Sequence, residues 1–247
     1  MRYRRARRPY TNSSVRDEAL SIASLRSAPV AGRALTPEPA ISPERAWWLR
    51  VPAVLVGPRP VFFALREEDG DDVAARSEPI LLLVLMAGTA AVLATPTAGA
   101  LLDKPEYDAL LVAVWAFVAG SIYGAVGYFV CGFALHFGAR LLGSRGTFRR
   151  ERQIVGFALA PLALSLVVLF PVRLALYGGD AFRASGPDEG AGERVLLGLQ
   201  LAFVAWSAAL LVIGVRVVHG WSWPRTGGAL AAAVALLAAL GVVFTLI

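Results

Sequence analysis

Two histidines, His136 and His219, and one cysteine, Cys131, are the only imidazole and thiol groups in this 247-residue chain. Structural zinc takes four such ligands in close register, so this set predicts no metal site, and a lone thiol forms no intrachain disulfide. The stretch Gly143-Ser144-Arg145-Gly146 holds a serine between glycines, yet no strand–turn–helix pattern surrounds it and no base is evident nearby. Glu67, Glu68, Asp69, Asp71 and Asp72 lack the spacing and the closing glutamate of a calcium loop. GxSxG, HExxH, CxxC and GxxxxGK[ST] are all missing. The expectation is a chain with no catalytic residues, no cofactor and no metal.

What remains is polar chemistry at the edges of apolar runs. Arg149, Arg150 and Arg152, clustered around Glu151, are suited to anionic lipid headgroups. His136 follows Gly132 by four and precedes Arg140 by four, so the three share one helical face. Arg216 and His219 stand at the corresponding end of a later run. All of these are expected to meet headgroups, cap loops or contact a partner. Gln200 and Ser207, seven apart, share a face and are expected to make interhelical hydrogen bonds, with a small polar path as the alternative. Gly120 and Gly124 form a small-xxx-small pair, and with Gly127 and Gly132 they predict close helix packing. Pro161 and Pro171 each predict a bend, the freed carbonyls being met by Ser165, Gln200 or Ser207.

The elements that carry these residues are legible from composition. Hydrophobic residues make up 57% and charged residues 17%, against about 45–50% and 25% in soluble domains; mean hydropathy is +0.60. Lipid is the natural solvent for that excess. Five apolar runs, 80–98, 109–134, 154–177, 195–217 and 228–247, are each long enough to cross a core of about 30 Å. The predicted fold is an all-α integral membrane protein with five transmembrane helices in residues 79–247. Residues 1–45, rich in Arg, Pro, Ser and Ala, read as a disordered cytoplasmic tail. Residues 46–78 read as an interfacial amphipathic segment and acidic linker: Trp47 and Trp48 favour the headgroup level, and Pro60 is placed to open a short helix bearing Phe62, Phe63 and Leu65.

Charge sets the orientation. Thirteen of the 24 basic residues precede position 79, alongside ten acids, so the excess there is +3 and no nucleic-acid surface is indicated. With the gaps after the second and fourth runs, 20 basic residues fall on one side and four on the other. The positive side stays inside, predicting a cytoplasmic N-terminus and an external C-terminus in a cell (inner) membrane. The opening MRYRRARRPY has no apolar sequel or cleavage site, so it is not read as a signal peptide. Twenty-three arginines against one lysine suggest a GC-rich bacterial genome. None of the five runs contains Asp, Glu, Lys or His, which weighs against coupled transport.

A tail, a proline–phenylalanine segment and five runs together resemble the Ypt-interacting-protein (Yip) family, particularly its bacterial branch. The resemblance is carried by Pro58, Arg59, Pro60, Phe62, Phe63, Leu65 and Arg66, then by His136, Ala139, Arg140, Leu141, Leu142, Gly143, Gly146, Thr147, Phe148 and Arg149, then by Ala160 and Pro161. It covers about 47–247 and leaves out the tail. It implies a five-helix membrane domain without enzymatic chemistry. Eukaryotic relatives are associated with Rab-class GTPases, a function that does not transfer to a cell without vesicle traffic. The functional expectation is a non-catalytic scaffold that organises the membrane or partners through the tail and the basic face. The alternative is a permease or channel for a small or uncharged solute.

Overall fold

The computed structural model describes residues 49–67, 78–95, 100–101, 103–104, 108–178 and 190–246. The expected tail (1–45), Trp47 and Trp48, most of the expected acidic linker and residues 179–189 lie outside the described residues. Among those described there are eight helices and no strand: α1 Arg50–Val56, α2 Pro58–Glu67, α3 Glu78–Leu93, α4 Ala109–Leu141, α5 Phe148–Ala158, α6 Ala160–Tyr177, α7 Ala191–His219 and α8 Trp223–Leu246.

Four helical stretches have the length and apolarity to cross a membrane: Leu110–Leu141, Phe148–Tyr177, Ala191–His219 and Trp223–Val243. Where the first of the five expected spans was placed, the shorter apolar helix Pro79–Leu93 stands. These helices turn large apolar side chains outward, among them Trp115 (61% exposed) and Tyr123 (69%). A face of that kind is stable only against lipid, and the molecule is a multi-pass membrane protein.

Two boundaries differ from the sequence expectation, each for a local reason. The second run was expected to end at 134, but α4 continues to Leu141, since Ala134, Leu135 and Ala139 keep a buried face. The third run was expected as one helix over 154–177. It is two, parted at Leu159, because Pro161 in the first turn of α6 has no N–H to continue the ladder of α5. Pro171 lies inside α6.

The proline–phenylalanine segment is two helices separated at Gly57, and Pro58, not Pro60, opens the second. It was expected to lay its apolar face in the headgroup layer. Val54, Phe62 and Leu65 of this segment are fully buried against the bundle, with Phe62 edge-on to Phe157 at 6.5 Å. The reason is Gly214 on α7: a Cβ there would meet Phe62 at 2.9 Å and Ile154 at 2.8 Å, so its absence makes the slot the phenylalanine fills.

α4 packs on α3, α5 and α8, while α7 packs on α2, α5, α6 and α8. The buried core gathers toward one end, from α1, α2, the start of α3, the end of α4, α5, the start of α6 and the end of α7. The same end carries most of the described arginines of the helix ends and loops.

Candidate functional site

Two helix C-termini build the polar centre of that end. Gly143 (φ +81) follows α4, and Gly143 N–H and Ser144 N–H return to Arg140 O and Ala139 O at 3.0 and 2.9 Å. Gly220 (φ +64) follows α7, and Gly220 N–H and Trp221 N–H return to Val217 O and Arg216 O at 3.3 and 3.1 Å. Both are the paired 5→2 and 6→1 closure of a helix on a left-handed glycine. The first fixes Ser144 just beyond α4, and the second fixes His219 as the last residue of α7 with Trp221 beyond it. Thr147 then opens α5 by accepting Arg150 N–H at 3.4 Å, which sets Glu151 on the inward face of the first turn.

The three side chains meet. Glu151 is fully buried, and the side chain of His219 is only 6% exposed. His219 Nε2 lies 3.2 Å from Oε2 and 3.1 Å from Oε1 of Glu151. Oε2 takes the hydrogen bond, and Oε1 has no donor of its own. His219 Nδ1 lies 3.4 Å from Ser144 Oγ, which accepts Gly146 N–H at 2.9 Å. Donation from Nε2 to the carboxylate leaves Nδ1 of a neutral ring as acceptor for the serine hydroxyl. Trp221 covers the imidazole, ring centroids 4.4 Å apart, and Arg225 lies over Trp221 at 4.7 Å. Arg225 Nε also donates to Leu142 O at 3.1 Å, closing the C-terminus of α4.

Hydroxyl, imidazole and carboxylate in series is the order that activates a nucleophilic serine. Here the geometry serves as a clamp. The hydroxyl already accepts a backbone N–H, Ser144 is 9% exposed, and Trp221 lies across the base. Gly146 permits the closure, since a Cβ there would stand 2.9 Å from Glu151 Oε1 and 3.1 Å from Ser144 Oγ. The cluster links the α4–α5 loop, α5 and the end of α7.

Around the clamp lie the residues singled out by sequence. His219 was expected at headgroups or capping a loop; it is inside, holding the loop. His136 takes a 3.5 Å contact from Arg140 Nε and meets Phe148 edge-on at 5.9 Å. Arg152 was expected among headgroup contacts. Its guanidinium is folded over Phe129 at 4.6 Å, Phe148 at 4.7 Å and Tyr128 at 5.7 Å, with Nε buried and unpartnered. Arg149 and Arg150 are half-buried, and Arg216 rests over Trp223 at 4.3 Å.

Gly120 and Gly124 do pack within the bundle, against Gly88, Thr89 and Val84 of α3, where backbones touch. Gly132 faces the Arg152 side chain. Gly127 was expected to pack and does not: a Cβ there would meet nothing within 4 Å, because it sits on the outer face of α4. Ser165 donates to Leu162 O of its own helix at 2.7 Å. Gln200 is half-buried, and Ser207 Oγ is buried without a partner. At the opposite end Arg173 pairs with Glu193 at 2.9 Å, joining α6 to α7.

Sequence reasoning passed over Ser144 for want of a base and read Glu151 only as part of a basic cluster. The signals that could have found them are Gly143 and Gly220, each just past an apolar run, which fix where two helices stop. Among the described residues no group of three or more His, Cys, Asp or Glu could hold a metal ion.

The Yip1 domain family model matches residues 53–246 of the chain. No curated protein and no solved structure matches it.

Proposed function

The chain belongs to the Yip1 domain family, and from that membership we propose that it is a non-catalytic membrane scaffold whose arginine-bearing end faces the cytoplasm and binds partners and lipid headgroups. The observation that supports this reading is the clamp of Glu151, His219 and Ser144, which joins three segments with its own reactive atoms turned inward. Such a node holds a platform rigid, while Arg140 and Arg225 stay exposed at its rim. The orientation follows from the uneven arginine count of the two sides. A bacterial inner membrane is the setting that fits the arginine-heavy composition.

The test is crosslinking in cells and co-purification of the full chain beside one starting at Ala46. A stoichiometric partner lost with the tail supports the scaffold and assigns its contact to residues before 46. A clean preparation with no partner from either chain overturns it. The unpartnered Ser207 hydroxyl on the same helix as Gln200 favours a small-solute permease as the second reading. Vesicle flux that changes on Gln200→Leu would then carry it.

A further inference from the structure

We propose that the groove between α3, α4 and α5 is a binding site for an anionic phospholipid, its phosphate held by Arg149 and Arg152 and an acyl chain lying between α3 and α4. The groove encloses about 420 Å³, within the range of small-ligand sites. Arg149, Arg152 and Gln153 line its α5 side, and no carboxylate lines it among the described residues. Glu151, the acid between the two arginines in sequence, is turned away onto His219. Arg152 is held in place by three aromatic rings while its buried Nε lacks an acceptor. A preset guanidinium with open donors matches a phosphate, which accepts in the plane of the fork. Gln153, 4% exposed, leaves its amide oxygen without a donor, and a headgroup hydroxyl or amine would supply one.

The rest of the wall is apolar. Leu81 and Val84 on α3 face Ala125 on α4, one turn beyond Tyr128 and Phe129 and away from the arginines. Cation at one end and hydrocarbon at the other is the polarity of a lipid. A free phosphate shares the arginine chemistry and makes no use of the apolar half. The groove also stands where α3 begins, on the arginine-bearing side that is proposed above to meet a headgroup layer. This inference rests on the proposed placement of the arginine-bearing end at such a layer.

The full chain in detergent is titrated with phosphatidylglycerol and, separately, with phosphatidylcholine, and bound lipid is read by native mass spectrometry. Phosphatidylglycerol is expected to be retained at least about tenfold better, as charge-assisted hydrogen bonds imply. Arg149→Gln with Arg152→Gln should abolish the preference, and Arg194→Gln, exposed at the opposite end of the bundle, should keep it. Ala125→Phe fills the apolar half with both arginines intact and should lower retention by a similar factor, so it carries the test even if the double variant fails to fold. Equal retention of the two lipids, or a preference that survives Ala125→Phe, overturns the proposal. Displacement of the lipid by millimolar inorganic phosphate, with retention unaffected by Ala125→Phe, assigns the site to a free anion and overturns it too. Lost lipid preference with a partner still co-purifying sinks the lipid site alone; the reverse sinks the scaffold alone.

Discussion

At the residue scale, the Glu151–His219 contact sets the largest penalty for a single change. His219→Ala leaves a fully buried carboxylate without its donor, a loss of about 3 kcal/mol for a charged group. Glu151→Gln keeps an oxygen in reach of Nε2 and should cost about 1–2 kcal/mol. Thermal melting in detergent should rank His219→Ala well below Glu151→Gln and both below wild type; equal melting points would show that the node is not a clamp. Ser144→Ala removes the acceptor of Gly146 N–H and should fall between Glu151→Gln and wild type. Gly146→Ala drives a methyl onto Glu151 and Ser144, overpacking that costs about 1–3 kcal/mol. If Gly146→Ala melts with wild type, the loop is not seated on the carboxylate.

At the element scale, the α3–α4 contact is made by absent side chains. Gly88 and Gly124 approach so closely that a Cβ on Gly124 would lie 3.2 Å from the Gly88 Cα and closer still to Val84 O. The obstruction is backbone, so no rotamer relieves it. Gly124→Val should therefore part α3 from α4 and lower the melting temperature, while Gly127→Val, with open space beyond, should leave it unchanged. A common response of the two variants would mean that helix propensity and not packing governs. The spacing of Gly120 and Gly124 was legible in sequence because a four-residue interval needs no knowledge of the partner; Gly88, the partner, was not, since one glycine in an apolar run has no pattern. The bend at Pro161 was likewise legible in kind, though the break falls two residues earlier, at Leu159. The placement of α1 and α2 was not legible. An amphipathic helix presents the same face to lipid and to protein, and only Gly214, about 150 residues away, makes the protein slot the better one. The clamp was hidden for the same reason: Ser144 and His219 are 75 residues apart, and nothing local announces their meeting.

At the scale of the whole molecule, the number of crossings turns on α3. Its 16 residues rise about 24 Å, short of a core of about 30 Å. Its two ends pack at different levels of the bundle. Ile80, near its start, fits against Gly156 and lines one groove with Tyr128. Val92 and Thr95, at its end, line another with Val112 and Trp115. Along α4, Val112 and Tyr128 are 16 steps apart, a rise of about 24 Å, within an outward apolar band that runs from Leu110 to Leu141. α3 thus spans only part of the band it lies beside, and for it to cross, the bilayer would have to thin locally. On the proposed topology, five crossings would put the two chain ends on opposite sides with the N-terminus inside, as the uneven arginine count suggests. An alkaline phosphatase fused after Ile247 should therefore be active, and a green fluorescent protein fused there should be dark. The opposite pair of signals would mean that α3 enters and leaves by the same face, reducing the crossings to the four longer helices.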